Sequence, residues 1–185
     1  MVRNLTNRLN SFLAKAEFRQ VTSENILERC SFCDYLLEKE SDYIDYRVCP
    51  SCEHHYPMGA RERILMVSDL NTFKETNKSI VHLTDSASVG KRSMDDQVTG
   101  LTEAAVTGNA YVGGVASMFV SLDYRFSGEM MGGIVGEKIA LAFEAAAKKK
   151  IPLIAFVSTG GSDIERGLLS LMQMAKISVA FEAFS

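Results

Sequence analysis

Four cysteines, Cys30, Cys33, Cys49 and Cys52, carry the most legible chemistry in the sequence: two C-x2-C pairs separated by fifteen residues. A C-x2-C pair lets one tight turn present two sulfurs on the same side, and two such turns close the tetrahedral thiolate shell that Zn²⁺ prefers. A shell of four sulfurs leaves no position for water, so a zinc ion held here is structural rather than catalytic. The stretch from Tyr35 to Val48 has the aromatic and charged mix expected of short strands in a zinc ribbon, and Pro50 stiffens the second turn. His54 and His55 follow the last cysteine. With four thiolates available, they are expected at the surface or behind the ligands rather than on the metal. His82 stands alone in a polar context, and nothing marks it as catalytic.

The second source of chemistry is a pair of glycine-bearing turns. One spans Tyr124 to Gly133 and contains Gly128, Gly132 and Gly133; the other is Ser158-Thr159-Gly160-Gly161. Glycines after a strand and before a helix let backbone N–H groups point outward at the positive end of the helix dipole, which suits phosphate or a developing oxyanion. Neither turn has the G-x-x-x-x-G-K-[ST] or G-x-G-x-x-G spacing of nucleotide sites. Two turns in one small domain do suit an oxyanion hole, which needs two converging donors.

The elements that must position these groups follow from periodicity. The chain has 185 residues, 46% hydrophobic and 23% charged, with mean hydropathy near zero. That is the profile of a globular domain with a small appendage. A net charge of −3, from 20 basic and 23 acidic residues, argues against nucleic-acid binding by overall electrostatics. No apolar run approaches the ~20 residues that span a bilayer, so a cytoplasmic protein with no membrane contact is expected. Residues 1–28 read as an N-terminal amphipathic helix carrying Leu5, Leu9, Phe12, Leu13 and Ala16; its basic, acid-poor start leaves a transit peptide, and with it the plastid stroma, as an alternative. Residues 29–58 read as the ribbon, and 59–100 as a short helix, Ala60 to Val67, followed by a solvated connection. Residues 101–185 read as an α/β core. In that core Glu103 to Val112 and Val115 to Asp123 form a hairpin about Gly113-Gly114. Gly133 to Lys149 is a helix with Ile134, Ile139, Ala142 and Phe143 on its apolar face. Ile151 to Val157 is a short buried strand, and Leu168, Leu169, Met172 and Ala175 line a second amphipathic helix. The order is β-β-α-β-α.

Taken in order, C-P-S-C-E-H-H-Y-P-M-G-A-R-E-R-I, G-L-T-E-A-A-V-T-G, L-D-Y-R-F-S-G-E-M-M-G-G-I-V-G-E-K-I-A, I-P-L-I-A-F-V-S-T-G-G and G-L-L-S-L-M-Q-M-A-K resemble the carboxyltransferase β subunit of the multi-subunit acetyl-CoA carboxylase. The resemblance runs from Cys30 through Lys176. It implies an α/β fold of crotonase-like β-β-α units, here incomplete, preceded by a four-cysteine zinc ribbon. It implies transfer of a carboxyl group from carboxybiotin on a biotin carboxyl carrier protein to acetyl-CoA, giving malonyl-CoA for fatty acid synthesis, in a complex with an α-type carboxyltransferase subunit. Gly160, Gly161, Gly128 and Gly132 would then frame the enolate oxygen, and Ser158, Asp163, Arg166 and Met131 would contact the acyl-CoA substrate.

Two departures from the family pattern suggest other outcomes. Asp163 stands where the family carries arginine, with Arg166 as a compensating cation, and Glu129 stands where glycine is usual. The chain also ends at Ser185, before strands and helices that the family adds, so the second core helix is expected to expose apolar surface. A non-catalytic structural or regulatory paralogue is one alternative reading. A zinc-ribbon protein contacting RNA or DNA phosphates through Arg29, Arg47, His54, His55, Arg61 and Arg63 is another.

Overall fold

The computed structural model describes residues 28–80, 100–101, 103–123, 125, 130–158, 161–162 and 167–185. The expected N-terminal helix, His82 and the later part of the connection lie outside these residues. Helix α1 (Ser41–Tyr46) belongs to the cysteine module, and helix α2 (Ala60–Val67) follows it. The core comprises strands β1 (Lys74–Thr76), β2 (Ala105–Val112), β3 (Val115–Leu122), β4 (Met130–Met131), helix α3 (Gly133–Lys149), strands β5 (Leu153–Phe156) and β6 (Gly161–Ser162), and helix α4 (Leu168–Phe184).

Strands β1, β2, β3 and β5 form one sheet in that order; the first three are antiparallel, and β5 runs parallel to β3. The hairpin expected from Gly113-Gly114 is present, with Val112 opposite Val115. Both glycines have positive φ, +58° and +83°, as a two-residue turn that follows the sheet's twist requires. The Asp69 carboxylate accepts both of their N–H groups, at 2.9 and 2.8 Å. This pins the α2–β1 connection to the hairpin tip.

Several expectations need correction. The connection after α2 contains strand β1, whose Lys74-Glu75-Thr76 sequence has no apolar signal because an edge strand is recruited through its backbone. Strand β5 is half-buried rather than buried: it closes the sheet among the described residues, and Ala155 is exposed. Helix α4 does not use the expected stripe. Leu168, Leu169 and Met172 are exposed, while Ser170 and Ala180 are buried. The interface with α3 is set by close approach: Gln173 packs on Gly136, and Phe181 and Phe184 flank Phe143. Lys176 adds an ion pair with Glu137. Because α4 is apolar nearly all round, periodicity alone gives it no direction. Helix α3 lies between the sheet and α4, so burial reaches beyond a single stripe. Val135, Gly136, Lys138 and Ala140 are buried with Ile139, Ala142 and Phe143, whereas Ile134 is only half-buried.

Candidate metal centre and paired glycine turns

Each C-x2-C pair sits in its own tight turn, and the two turns repeat one geometry. In the first, Cys30 N–H donates to Tyr35 O and Asp34 N–H to Cys30 O; in the second, Cys49 N–H donates to His54 O and Glu53 N–H to Cys49 O. Isolated bridges Arg29↔Leu36 and Val48↔His55 close the turns. The residue after each second cysteine, Asp34 or Glu53, is left-handed, with φ of +59° and +58°. Between the knuckles stands α1 rather than the short strands expected. It supplies the buried Tyr43, which packs with Leu37, Cys30 and Cys49 into a small core of the module's own.

The four Sγ atoms lie within 4.8 Å of one another. Cys30–Cys52 and Cys33–Cys49 are both at 3.7 Å. Tetrahedral coordination with metal–sulfur bonds of about 2.3 Å puts sulfurs roughly 3.8 Å apart, so the cluster fits a tetrahedral ion. Its electrostatics also call for a cation. Burial opposes a thiolate at Cys30, but the Tyr56 hydroxyl and the N–H groups of Phe32 and Cys33 outweigh it and bring the thiol down to about 6. The His54 N–H lowers Cys52, yet burial and the neighbouring thiols Cys33, Cys49 and Cys30 push it up to about 12. Four thiolates this close are compatible only if a positive ion sits among them.

Tyr56 is the residue that motif reading missed. Its hydroxyl donates to Cys30 Sγ at 3.1 Å and accepts the Ser31 N–H at 3.0 Å, so it orients a ligand from behind. His54 stacks on the exposed Phe32, ring centroids 4.1 Å apart, and meets Tyr56 edge-on. Neither His54 nor His55 joins the sulfur cluster. The basic set read as a phosphate contact is dispersed. Arg47 is buried against Glu62, Arg61 pairs with Glu75, Arg29 pairs with Asp34, and Arg63 lies over the Phe156 ring.

In the core, the described ends of the two glycine-bearing stretches meet. Strands β4 and β6 pair in parallel, Met130 with Gly161 and Met131 with Ser162. This brings Met131, Gly132 and Gly161 together at the start of α3. Gly132 is that helix's N-cap, no side chain caps it, and its first turn carries no acid. The amides there have no intrahelical acceptor and stand at the positive end of the dipole. Ser170 Oγ donates to Met131 O at 2.7 Å, fastening α4 to the same point. Ser158 is described and half-buried just beyond β5. Gly128, Glu129, Gly160, Asp163 and Arg166 lie outside the described residues.

A buried carboxylate ends strand β3. Asp123, fully buried at the end of β3, accepts the Ala60 N–H at 2.8 Å, the Arg125 N–H at 3.0 Å, and Arg125 Nε and Nη2 at 2.9 Å each. Burial alone would raise its pKa, but the Arg125 side chain and the Ala60 amide hold it below the usual carboxylate value.

A mixed sheet packed by helices, with β4 and β6 paired at the start of α3, is an α/β arrangement of the carboxyltransferase (crotonase-like) kind. Residues 55–184 match the carboxyl transferase domain family, and the chain belongs to that family. Among named relatives, the acetyl-coenzyme A carboxylase carboxyl transferase subunit beta of Prochlorococcus marinus is 34% identical over 181 residues, covering 95% of this chain. The chain spans 62% of the length of that relative. A transcarboxylase 12S structure with hydrolysed methylmalonyl-coenzyme A bound superposes with a TM-score of 0.58 at 25% identity, over 66% of this chain and 23% of that one. A Pseudomonas malonate decarboxylase hetero-tetramer in complex with malonate shares the fold, with a TM-score of 0.53 at 24% identity, over 69% of this chain and 46% of its own. No helix among the described residues is long and apolar enough to cross a membrane.

Proposed function

We propose that this chain is a β-type carboxyltransferase subunit of an acetyl-CoA carboxylase. It would work in the cytoplasm with an α-type carboxyltransferase subunit and a biotin carboxyl carrier protein, converting acetyl-CoA to malonyl-CoA. The observation that supports the reading is the β4–β6 pairing, which brings Gly161 opposite Met130, next to Gly132 at the N-cap of α3. Carboxylation of the acetyl methyl passes through an enolate, whose oxygen must be held while it gains negative charge. Backbone amides of the Gly160-Gly161 turn and of the turn from Gly128 to Gly132 supply two donors, each worth about 3 to 4 kcal/mol of barrier when preorganised. Ser158, Met131, Asp163 and Arg166 are the side chains that the family resemblance assigns to acyl-CoA contact.

Carboxybiotin supplies the carboxyl group and, once relieved of it, a basic ureido nitrogen for the methyl proton. No side-chain base is then required of this chain. Cys30, Cys33, Cys49 and Cys52 hold a structural Zn²⁺, a choice supported by four sulfur donors at tetrahedral spacing. The test is malonyl-CoA formation by the complex of this chain with the α-type subunit and a biotinylated carrier. Acetyl-CoA-dependent product is expected, and a fully assembled complex without turnover overturns the assignment.

A further inference from the structure

We propose that Ser170, in the first turn of α4, is a positioning residue for the backbone amides at the start of α3, acting through the Met131 carbonyl; the inference rests on the oxyanion role proposed above. Ser170 is 1% exposed, and its Oγ donates to Met131 O at 2.7 Å from 39 residues away. That oxygen belongs to the planar peptide unit that joins β4 to Gly132, the N-cap of α3. Holding it fixes the plane of the peptide, and with it the direction of the Gly132 N–H and the angle at which the chain enters the helix. The Gly132 carbonyl in turn accepts the Gly136 N–H at 3.0 Å, which closes the first helical turn. The amides of Gly133, Ile134 and Val135, which have no intrahelical acceptor, are carried on that turn.

Helix α4 meets the same turn a second time. A Cβ built on Gly136 would lie 2.4 Å from Gln173 Oε1 and 2.8 Å from Gln173 Cβ, so Gln173 fills the space a side chain would need. Its Nε2 donates to Leu169 O at 2.8 Å, which holds the amide in place. Lys176 then pairs with Glu137, one residue further along α3. Ser170, Gln173 and Lys176 thus form one i, i+3, i+6 row of polar side chains on a largely apolar helix, and the row meets Met131, Gly136 and Glu137. Further along the pair the contacts are aromatic, with Phe181 and Phe184 on Phe143. Apolar burial holds two helices together without direction, whereas a hydroxyl on one carbonyl sets an orientation. The directional contacts are concentrated where the proposed donors lie. A donor displaced by a fraction of an ångström loses transition-state contacts while substrate still binds.

The experiment uses the full chain in the assembled complex, with Ser170→Ala, which deletes one hydroxyl, and Gly136→Ala, which wedges α4 away from the same turn and leaves Ser170 in place. Each should lower kcat by about 10- to 100-fold while the KM for acetyl-CoA stays within about twofold. Amide hydrogen exchange should rise at residues 136–139, the first hydrogen-bonded amides of α3, and stay unchanged at residues 143–149 and in the β2–β3 hairpin. Unaltered kcat beside an active wild type, or exchange that rises along the whole of α3, overturns the inference in favour of simple helix packing. Should the wild-type complex show no turnover, the proposed function fails, and exchange decides alone: a rise confined to residues 136–139 upholds the positioning by Ser170, and no rise there overturns it. If Ser170→Ala does not fold, Gly136→Ala decides the question, because it displaces the hydroxyl without removing it.

Discussion

The cysteine module and the glycine-turn core solve positioning in opposite ways. In the module every ligand is delivered by a local turn. Two knuckles with matching hydrogen bonds and matching left-handed residues each present two sulfurs, and only their meeting is a tertiary event. In the core the proposed functional groups are backbone amides, and their placement depends on partners far away in sequence. Met130 pairs with Gly161, and Ser170 reaches Met131. A locally built site breaks when one side chain is lost. A distributed site tolerates most side-chain changes and fails where backbones must approach closely.

The sharpest way to break the contrast is Cys49→Ser. Zinc binding and the fold of residues 28–58 should be lost together, since the module's hydrophobic cluster is small: Leu37, Tyr43 and two of the ligands, with Tyr56 packed against it. The α/β core should keep its own hydrophobic cluster. Metal analysis with hydrogen exchange checks both halves; retained stoichiometric zinc, or collapse of the β2–β3 hairpin with the module, would show that the regions are not built independently.

A smaller effect is expected at Tyr56, whose hydroxyl steadies Cys30 without ligating. Tyr56→Phe should weaken zinc affinity by about 10- to 100-fold, the range for a lost partner behind a ligand, as read by competition with a chelator. Undiminished affinity would make the hydroxyl a bystander.

These two cases show what was legible in the sequence. The C-x2-C spacing named all four ligands because ligand chemistry and local turn geometry are written in residue type. Tyr56 was visible as a letter but not as a donor, since its role depends on a fold across 26 positions. The helices α2 and α3 and the Gly113-Gly114 hairpin were readable from apolar periodicity and turn chemistry. Strand β1 was not, being polar and recruited by backbone pairing. The facing of α4 was not, because a helix apolar on all sides offers no stripe and the contact with α3 is chosen by Gly136. The glycine turns were found as glycines, but their meeting through β4 and β6 is a long-range pairing that no local pattern states.

The smallest effect, and one of opposite sign, belongs to Lys138. It is buried in α3 with Nζ 3.3 Å from Ala105 O. Burial lowers its pKa, only partly opposed by Glu103 and Glu75. A lysine whose folded pKa is depressed penalises the folded state below that pKa, and the penalty fades as pH rises through it toward the unfolded value. Lys138→Met should therefore be neutral or stabilising by about 1 kcal/mol at pH 7, with the gain shrinking in urea unfolding repeated at alkaline pH. A clear loss of stability at pH 7 would instead make the ammonium a needed partner of the β2 carbonyl.

The central claim, that paired glycine turns form the carboxyl-transfer site, is tested most directly at Gly161, which pairs with Met130 where the two turns meet. Gly161→Val in the assembled complex should cut malonyl-CoA formation by at least ~100-fold, because a branched side chain would block the thioester's approach, while zinc content and assembly stay unchanged. Full turnover by that variant, in a complex containing no other β-type chain, would contradict the account.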